Sequence, residues 1–316
     1  MRRRRFLGLL PIAAISAWRC GGDSGSKAVV KVGNLGLPPT PRPTNGSTPT
    51  PVPPPELDLS IERVFQGGAV LVSLVGLAKD GSVTFLDRKQ PLTQGARSIY
   101  AFVGVGADDP PGSHQLRVDF TLASGTRGSL THDITVVAST WTADSVTVPA
   151  AIAAVLLDPK LQARELAVLA EVYGRVTPEK FWEPGWTLPT GGPVTTRFGE
   201  ERSYNGGPSS GHHFGTDIAP PEGTPVAVTN NGRVVLARQL QLRGNMVVVD
   251  HGGGLYSGYA HLKSLNVAEG EQLLAGDTVG HVGSSGLSTG AHLHWEIAAG
   301  GILIDALRFP DGSNGF

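Results

Sequence analysis

The sequence predicts a mainly β protein, in which a small β-sandwich, a linker helix and a C-terminal antiparallel β domain follow one another. Three observations carry this. Leu116, Val118, Phe120 and Leu122 alternate with polar residues at the two-residue period of a half-buried strand. Residues 232–236 and 246–250 are rich in valine, which favours strands. Glycine, at 43 residues, and proline, at 24, supply the turns that many short strands require.

The elements read in order from the N-terminus. Residues 1–20 have the make-up of an export segment, with Arg2 to Arg5 as the positive region and Phe6 to Trp18 as the apolar stretch. Arg3-Arg4, one residue and then Phe6-Leu7 resembles a twin-arginine signal. Cys20 falls where such a segment ends and is a candidate lipid anchor, although Trp18-Arg19 departs from the small residues a lipid-modifying signal peptidase takes. As the single cysteine, it leaves no internal disulfide to hold the fold. Residues 21–56 are a linker, first Gly/Ser-rich and then Pro/Thr-rich, which lacks the apolar residues to build a core and tends to polyproline II. Its 18 residues from Pro38 to Pro55 would reach about 55 Å.

Residues 57–142 read as strands separated by turn signals at Gly67-Gly68, Asp80-Gly81, Pro110-Pro111-Gly112 and Ser124-Gly125, the pattern of an immunoglobulin-like β-sandwich. Residues 143–189 read as a helical connector. Asp158 is suited to cap a helix, Pro159 to open it and Gly174 to end it, with Leu166, Leu169 and Tyr173 on one face. Residues 190–316 form the C-terminal β domain, and Trp182 and Trp186 are expected to pin the connector onto it.

Three short segments of that domain carry chemistry: His213-Phe214-Gly215-Thr216-Asp217, Tyr259-Ala260-His261 and His292-Leu293-His294-Trp295-Glu296. They offer four imidazoles and one carboxylate, the donor types of a zinc site. Residues two apart on a strand share a face, so His292 and His294 can point into one pocket, and spacing leaves open which of them binds metal. His213 and Asp217, four apart, would be about 13 Å apart on a straight strand. The chain between them must turn, and Gly215 is the residue expected to permit it. Five further histidines, His114, His132, His212, His251 and His281, are assigned ordinary structural roles, His251 as a turn former before Gly252. Trp295 and Glu296 are read as packing and strand-end residues.

In that order H-x-G-x-D, Y-A-H-L and H-L-H-W-E resembles the lysostaphin/LytM-type zinc metalloendopeptidases that cut peptidoglycan. Residues 196–199, 217–220, 223–226, 244–252 and 279–286 fit the same family, so the resemblance spans about residues 190–310. It implies a duplicated hybrid motif-like sheet with a narrow groove, one Zn2+ ion held by His213, Asp217 and His294, and His261 and His292 beside it as catalytic, unligated imidazoles. Tyr204 stands where some members place a substrate-binding tyrosine. Ile304-Asp305-Ala306 departs from the family's Val-Asp-Pro ending, away from the chemistry. The resemblance further implies hydrolysis of peptidoglycan peptides by a metal-activated water, with His261 and His292 carrying protons because the chain has no H-E-x-x-H glutamate.

Composition bounds the alternatives. A net charge of −1 without a basic stripe argues against nucleic acid as a partner. No uncharged apolar run reaches 18 residues, so no mature transmembrane helix is expected, and the export segment implies an extracytoplasmic location. The competing reading is a non-hydrolytic wall-binding protein or an activator of a separate cell-wall amidase. Retention of all five site residues weighs against it.

Overall fold

The computed structural model describes residues 53–148, 153–155 and 158–315. The export segment, Cys20 and the linker up to residue 52 lie outside the described residues.

Two sheets face one another in the N-terminal half. One runs in the order Glu56–Leu59, Ala69–Val75, Ser98–Gly104, Thr93–Gln94; the other runs Arg63–Phe65, Arg127–Val137, Gly112–Leu122, Ala78–Phe85, Arg88–Pro91. Their inward residues, among them Val72, Leu74, Phe85, Ile99, Leu116, Val118 and Ile134, form one core. The alternation seen in the sequence thus has a cause: Leu116 and Val118 fill the space between the sheets, while Phe120 and Leu122 are half-buried at the strand end. Arg63–Phe65 runs parallel to Arg127–Val137; the remaining pairings of the two sheets are antiparallel.

The connector is not helical throughout. Ala143–Val146 is a strand, paired in parallel with Glu201–Tyr204, which Ser209–His212 pairs on its other side. The helix α1 (Pro159–Tyr173) comes next, with the Asp158 carboxylate accepting from the Lys160 and Leu161 amides at 2.9 and 3.4 Å. Its buried face consists of Leu161, Glu165, Leu169, Val172 and Tyr173. Leu166 is instead 46% exposed, because the inward position next to it is taken by Glu165, whose carboxylate accepts from the Leu242 and Arg243 amides.

The C-terminal sheet has the order Val194–Thr196, Thr216–Ile218, Leu293–Ala299, Leu255–Leu265, Gly244–Gly252, Gly232–Leu240, Gln272–Leu273, all antiparallel. It is buried on both faces. Val247, Val249, Trp295 and Ile297 face one core, while Met246, Val248 and Ala298 face another completed by Leu169, Val172 and Tyr173 of α1. The period of two therefore puts the even-numbered residues of Leu293–Ala299 on the helix side.

Trp182 and Trp186 pin the connector as expected, and Trp182 reaches further. Its ring lies 5.4 Å from Phe102 and 6.3 Å from Tyr100, both on the sandwich strand Ser98–Gly104, within the core of the C-terminal sheet. The C-terminal tail reinforces this junction: the Asp305 amide donates to Gly67 O, and Asn314 Oδ1 accepts from the Ala69 amide at 3.0 Å. Trp186 packs 4.9 Å from both His251 and Phe309. His251 is more than a turn former: it is fully buried, hydrogen-bonded to Asn231 O and Ser257 Oγ, and burial pushes its pKa down to about 4. Among the described residues, no helix is long and apolar enough to cross a membrane.

Trp182→Ala, which empties an aromatic site shared by sandwich and sheet, should cost roughly 3–5 kcal/mol in urea unfolding, and a loss under 1 kcal/mol would contradict the shared core. A depressed folded pKa for His251 supplies stability that is present above its unfolded value and lost as pH falls from about 6.5 through 4. The stability gap between the wild type and His251→Asn should therefore narrow between pH 7 and pH 4.5; a constant gap would exclude burial of the neutral ring.

Candidate metal centre

Strand register assembles the site. Asp217 and His294 are direct cross-strand partners on Thr216–Ile218 and Leu293–Ala299, and Ala260 of Leu255–Leu265 is the partner of His294 on its other side. His261 comes directly after Ala260, and His292 pairs with Gly283 just before its strand begins. His213 directly follows the hairpin strand Ser209–His212 and reaches the site from the loop before Thr216–Ile218. All five sequence-predicted residues are thus brought to one place.

The chain does turn between His213 and Asp217, but Gly215 serves a different purpose from the one expected. Its φ is not positive; instead a Cβ there would lie 2.6 Å from His294 Cε1 and 2.8 Å from Trp295 O. The glycine lets the His294 ring approach the backbone. The unusual backbone belongs to His261, whose φ of 59° is in the left-handed region that a side-chain-bearing residue rarely adopts. Its amide donates to Arg243 O at 2.8 Å, and its Nδ1–H donates to Ser285 O at 2.9 Å. These two bonds hold a conformation that turns the ring out of the strand and toward His292 and His294, with centroids 4.8 and 6.0 Å away.

Three donor atoms form a tight triangle. His213 Nε2 is 3.0 Å from His294 Nδ1 and 3.1 Å from Asp217 Oδ1, and His294 Nδ1 is 2.8 Å from Asp217 Oδ1. Ligands bound tetrahedrally at 2.0–2.2 Å would be about 3.3 Å apart, so the triangle is close to the size such a cation needs. The second nitrogen of each imidazole is already used. His213 Nδ1–H donates to Arg197 O, and His294 Nε2–H donates to the Glu296 carboxylate at 3.1 Å. Both arrangements orient the remaining nitrogen toward the triangle, as partners of metal-bound histidines do. Asp217 is oriented in the same way: Arg202 Nη2 donates to Oδ2 at 2.6 Å, which leaves Oδ1 to face the imidazoles.

The charges bear this out. Burial would raise the Asp217 carboxyl, but the imidazoles of His213 and His294 against it outweigh burial and hold it well below the usual carboxylate range. Burial pushes His213 down, so its ring is neutral. Burial alone would also lower His294, yet its bonds to Asp217 and Glu296 lift it to about 9. The triangle therefore holds one ionised carboxylate and one neutral imidazole whose lone pairs face each other, with the single proton of His294 Nδ1 between them. A cation satisfies all three atoms at once. The residues fit a divalent metal with imidazole and carboxylate preference, zinc among them.

His261 and His292 do not join the triangle. His292 Nε2 is 3.8 Å from Asp217 Oδ1, while its Nδ1–H donates to Gly290 O. Burial, reinforced by the charges of His294 and His292, pushes His261 down to about 3. His261 thus turns an unprotonated Nε2 toward the site, and the His292 Nε2 faces the Asp217 carboxylate. Both rings open onto a groove of about 580 Å³ whose lining includes Gln162 and Leu166 of α1, residues 287–291 and Tyr204.

Sequence reading missed the supports of the site. Arg202 shares a face with Tyr204 by the two-residue period, so attention to Tyr204 could have found it. Glu296 is not a strand-end packing residue: fully buried, it accepts from His294, from Arg243 Nε at 2.7 Å and from Tyr173 OH at 2.6 Å. No local signal marks Glu165, Tyr173 or Arg243. His212, in contrast, has the structural role expected of it, with Nδ1–H donating to Gly199 O.

Similarity to known proteins concentrates on this part of the chain. Over 96 residues it is 38% identical to the peptidoglycan DD-endopeptidase ShyA of Vibrio cholerae, covering 30% of this chain and 22% of that one. Over 125 residues it is 34% identical to the murein hydrolase activator NlpD of Salmonella dublin, covering 39% of this chain and 31% of that one. The chain thus spans less than a third of either relative. The crystal structure of a Pseudomonas aeruginosa protein assigned to peptidase M23 is similar over 78% of this chain and 94% of that one, at 26% identity and a TM-score of 0.58. That likeness extends upstream of the residues that carry the site. Residues 211–306 match peptidase family M23, and the chain therefore carries a domain of that family.

Proposed function

We propose that this chain is a zinc-dependent endopeptidase that hydrolyses peptide cross-links or stem peptides of bacterial peptidoglycan, working outside the cytoplasm. The observation that carries the reading is the convergence of His213, Asp217 and His294 within 3.1 Å of one another on the lining of a groove, with two more imidazoles beside them. When bound, the cation supplies Lewis acidity, polarising a carbonyl and acidifying water. The chain's own residues do the rest. His261 and His292, with Nδ1–H committed to backbone carbonyls, present Nε2 as a proton acceptor for the attacking water. Tyr204 lines the groove and can donate its hydroxyl to the reacting carbonyl oxygen. The sandwich reads as an immunoglobulin-like spacer; its two-sheet strand order, in which Arg63–Phe65 runs parallel to Arg127–Val137, supports this.

Similarity to a murein hydrolase activator favours a second reading, a domain that binds the wall or an amidase without hydrolysis. The complete set of donors and proton acceptors supports the hydrolase instead. Incubation of purified peptidoglycan with the protein, with and without a chelator, separates the two. Chelator-sensitive release of new amino groups is expected, and its absence with zinc-loaded protein would sink the hydrolase reading.

His213→Ala, Asp217→Ala and His294→Ala should each lose bound zinc and hydrolysis together. His261→Ala and His292→Ala should keep zinc while hydrolysis falls roughly 10²- to 10⁴-fold, the usual weight of a general base. Zinc loss in the second pair would reassign them as ligands. Because His294 titrates at about 9 without metal, it is protonated at pH 7 and must release that proton to bind. Calorimetry in buffers of different ionisation heat should show about one proton released per ion, and apparent affinity should rise about tenfold per pH unit from 7 to 9. A pH-independent affinity would contradict the charge state derived for His294.

A further inference from the structure

The helix α1 lies upstream of the residues that match the family, yet it reaches a proposed ligand through a continuous buried chain of hydrogen bonds. Tyr173, at its C-terminal end, donates to Glu296 Oε2 at 2.6 Å. Glu165, two turns earlier, accepts from the guanidinium of Arg243 at 3.2 Å, and the same guanidinium donates to Glu296 Oε1 at 2.7 Å. Glu296 Oε1 in turn accepts from His294 Nε2. The carboxylate that orients His294 is therefore clamped from two sides, by one hydroxyl on the helix and by an arginine that the helix holds. Glu165 also accepts from the Leu242 and Arg243 amides, so the helix sets where Arg243 leaves the backbone.

We propose that α1 is a working part of the metal centre, with Glu165 and Tyr173 as positioning residues that act through Arg243 and Glu296 to orient His294 for metal binding. The inference rests on the reading of His213, Asp217 and His294 as a metal site and extends the centre beyond the family-matched residues. An ionised Glu296 held at one angle fixes the His294 ring plane and keeps its proton on Nε2, so that Nδ1 is presented to the cation. Releasing either clamp lets Glu296 rotate, and the ring with it.

Zinc affinity of the full chain, measured by competition with a chromophoric chelator, tests this alongside thermal unfolding of the metal-free protein. Tyr173→Phe and Glu165→Gln should each weaken zinc binding about tenfold, within the range seen for partners of ligating histidines. Ala167→Gly, on the exposed face of the same helix, should lower thermal stability with affinity within twofold of the wild type. In a Glu296→Gln background, adding Tyr173→Phe should change affinity less than twofold, because the hydroxyl acts through that carboxylate. Unchanged affinity in Tyr173→Phe and Glu165→Gln would overturn the proposal while leaving the metal site intact. An equal loss in Ala167→Gly would overturn it as well, by reducing the helix to scaffold. A wild-type chain that binds no zinc would instead remove the metal-site reading itself.

Discussion

The register of the strand Leu293–Ala299 is the constraint on which the site depends. It is held on both sides, with His294 opposite Asp217 on one neighbour and opposite Ala260 on the other. A slip of one residue would send His294 and Glu296 to the opposite face and bring Trp295 into their place. That slip is opposed by packing: Trp295 and Ile297 are fully buried in one core, and Ala298 is small enough to lie under the helix in the other. Hydrophobic burial on one face thus fixes the polar chemistry on the other.

Charge is balanced in pairs around that strand. Arg202 neutralises Asp217 from the hairpin side, and Arg243 lies between Glu165 and Glu296 on the helix side. Burial would raise Glu296, yet Arg243 and His294 hold it far below the usual carboxylate range, and the same carboxylates keep Arg243 charged. Buried ion pairs of this kind lose heavily to desolvation and contribute little net stability, while removal of one partner is costly, about 3–5 kcal/mol. Their role here is geometric. They set the angles of His294 and Asp217, two of the three residues of the donor triangle.

Two local departures from regular structure complete the arrangement, for different reasons. His261 has a left-handed backbone, which costs on the order of 1–3 kcal/mol and is held by hydrogen bonds to Arg243 O and Ser285 O. Strain there aims the ring into the groove. Gly215 has ordinary dihedrals and is required only for the space it leaves to His294. The sandwich contributes at a distance, through Trp182 and the C-terminal tail, which tie the core of the C-terminal sheet to Phe102 and Tyr100.

The mainly β fold class, the helix with its Asp158 and Gly174 ends, and the five residues that meet in the site were all legible in the chain, because each leaves a local mark. Strand alternation has period two, caps occupy set positions, and histidines and a carboxylate two or four residues apart stand out as motifs. The residues that support them left no such mark. Arg202, Arg243 and Glu165 stand in no motif, Tyr173 is marked only as part of the apolar face of the helix, and Leu166 was placed on the buried face that Glu165 occupies. Their roles arise from contacts as distant as Tyr173 with Glu296, 123 residues apart, and no spacing rule encodes such a pair. The sequence by itself determined which side chains carry the donor atoms that meet in the site. Only the tertiary structure decided which charges orient them, because a hydrogen bond between distant strands and a helix exists only once both faces of the sheet have been packed.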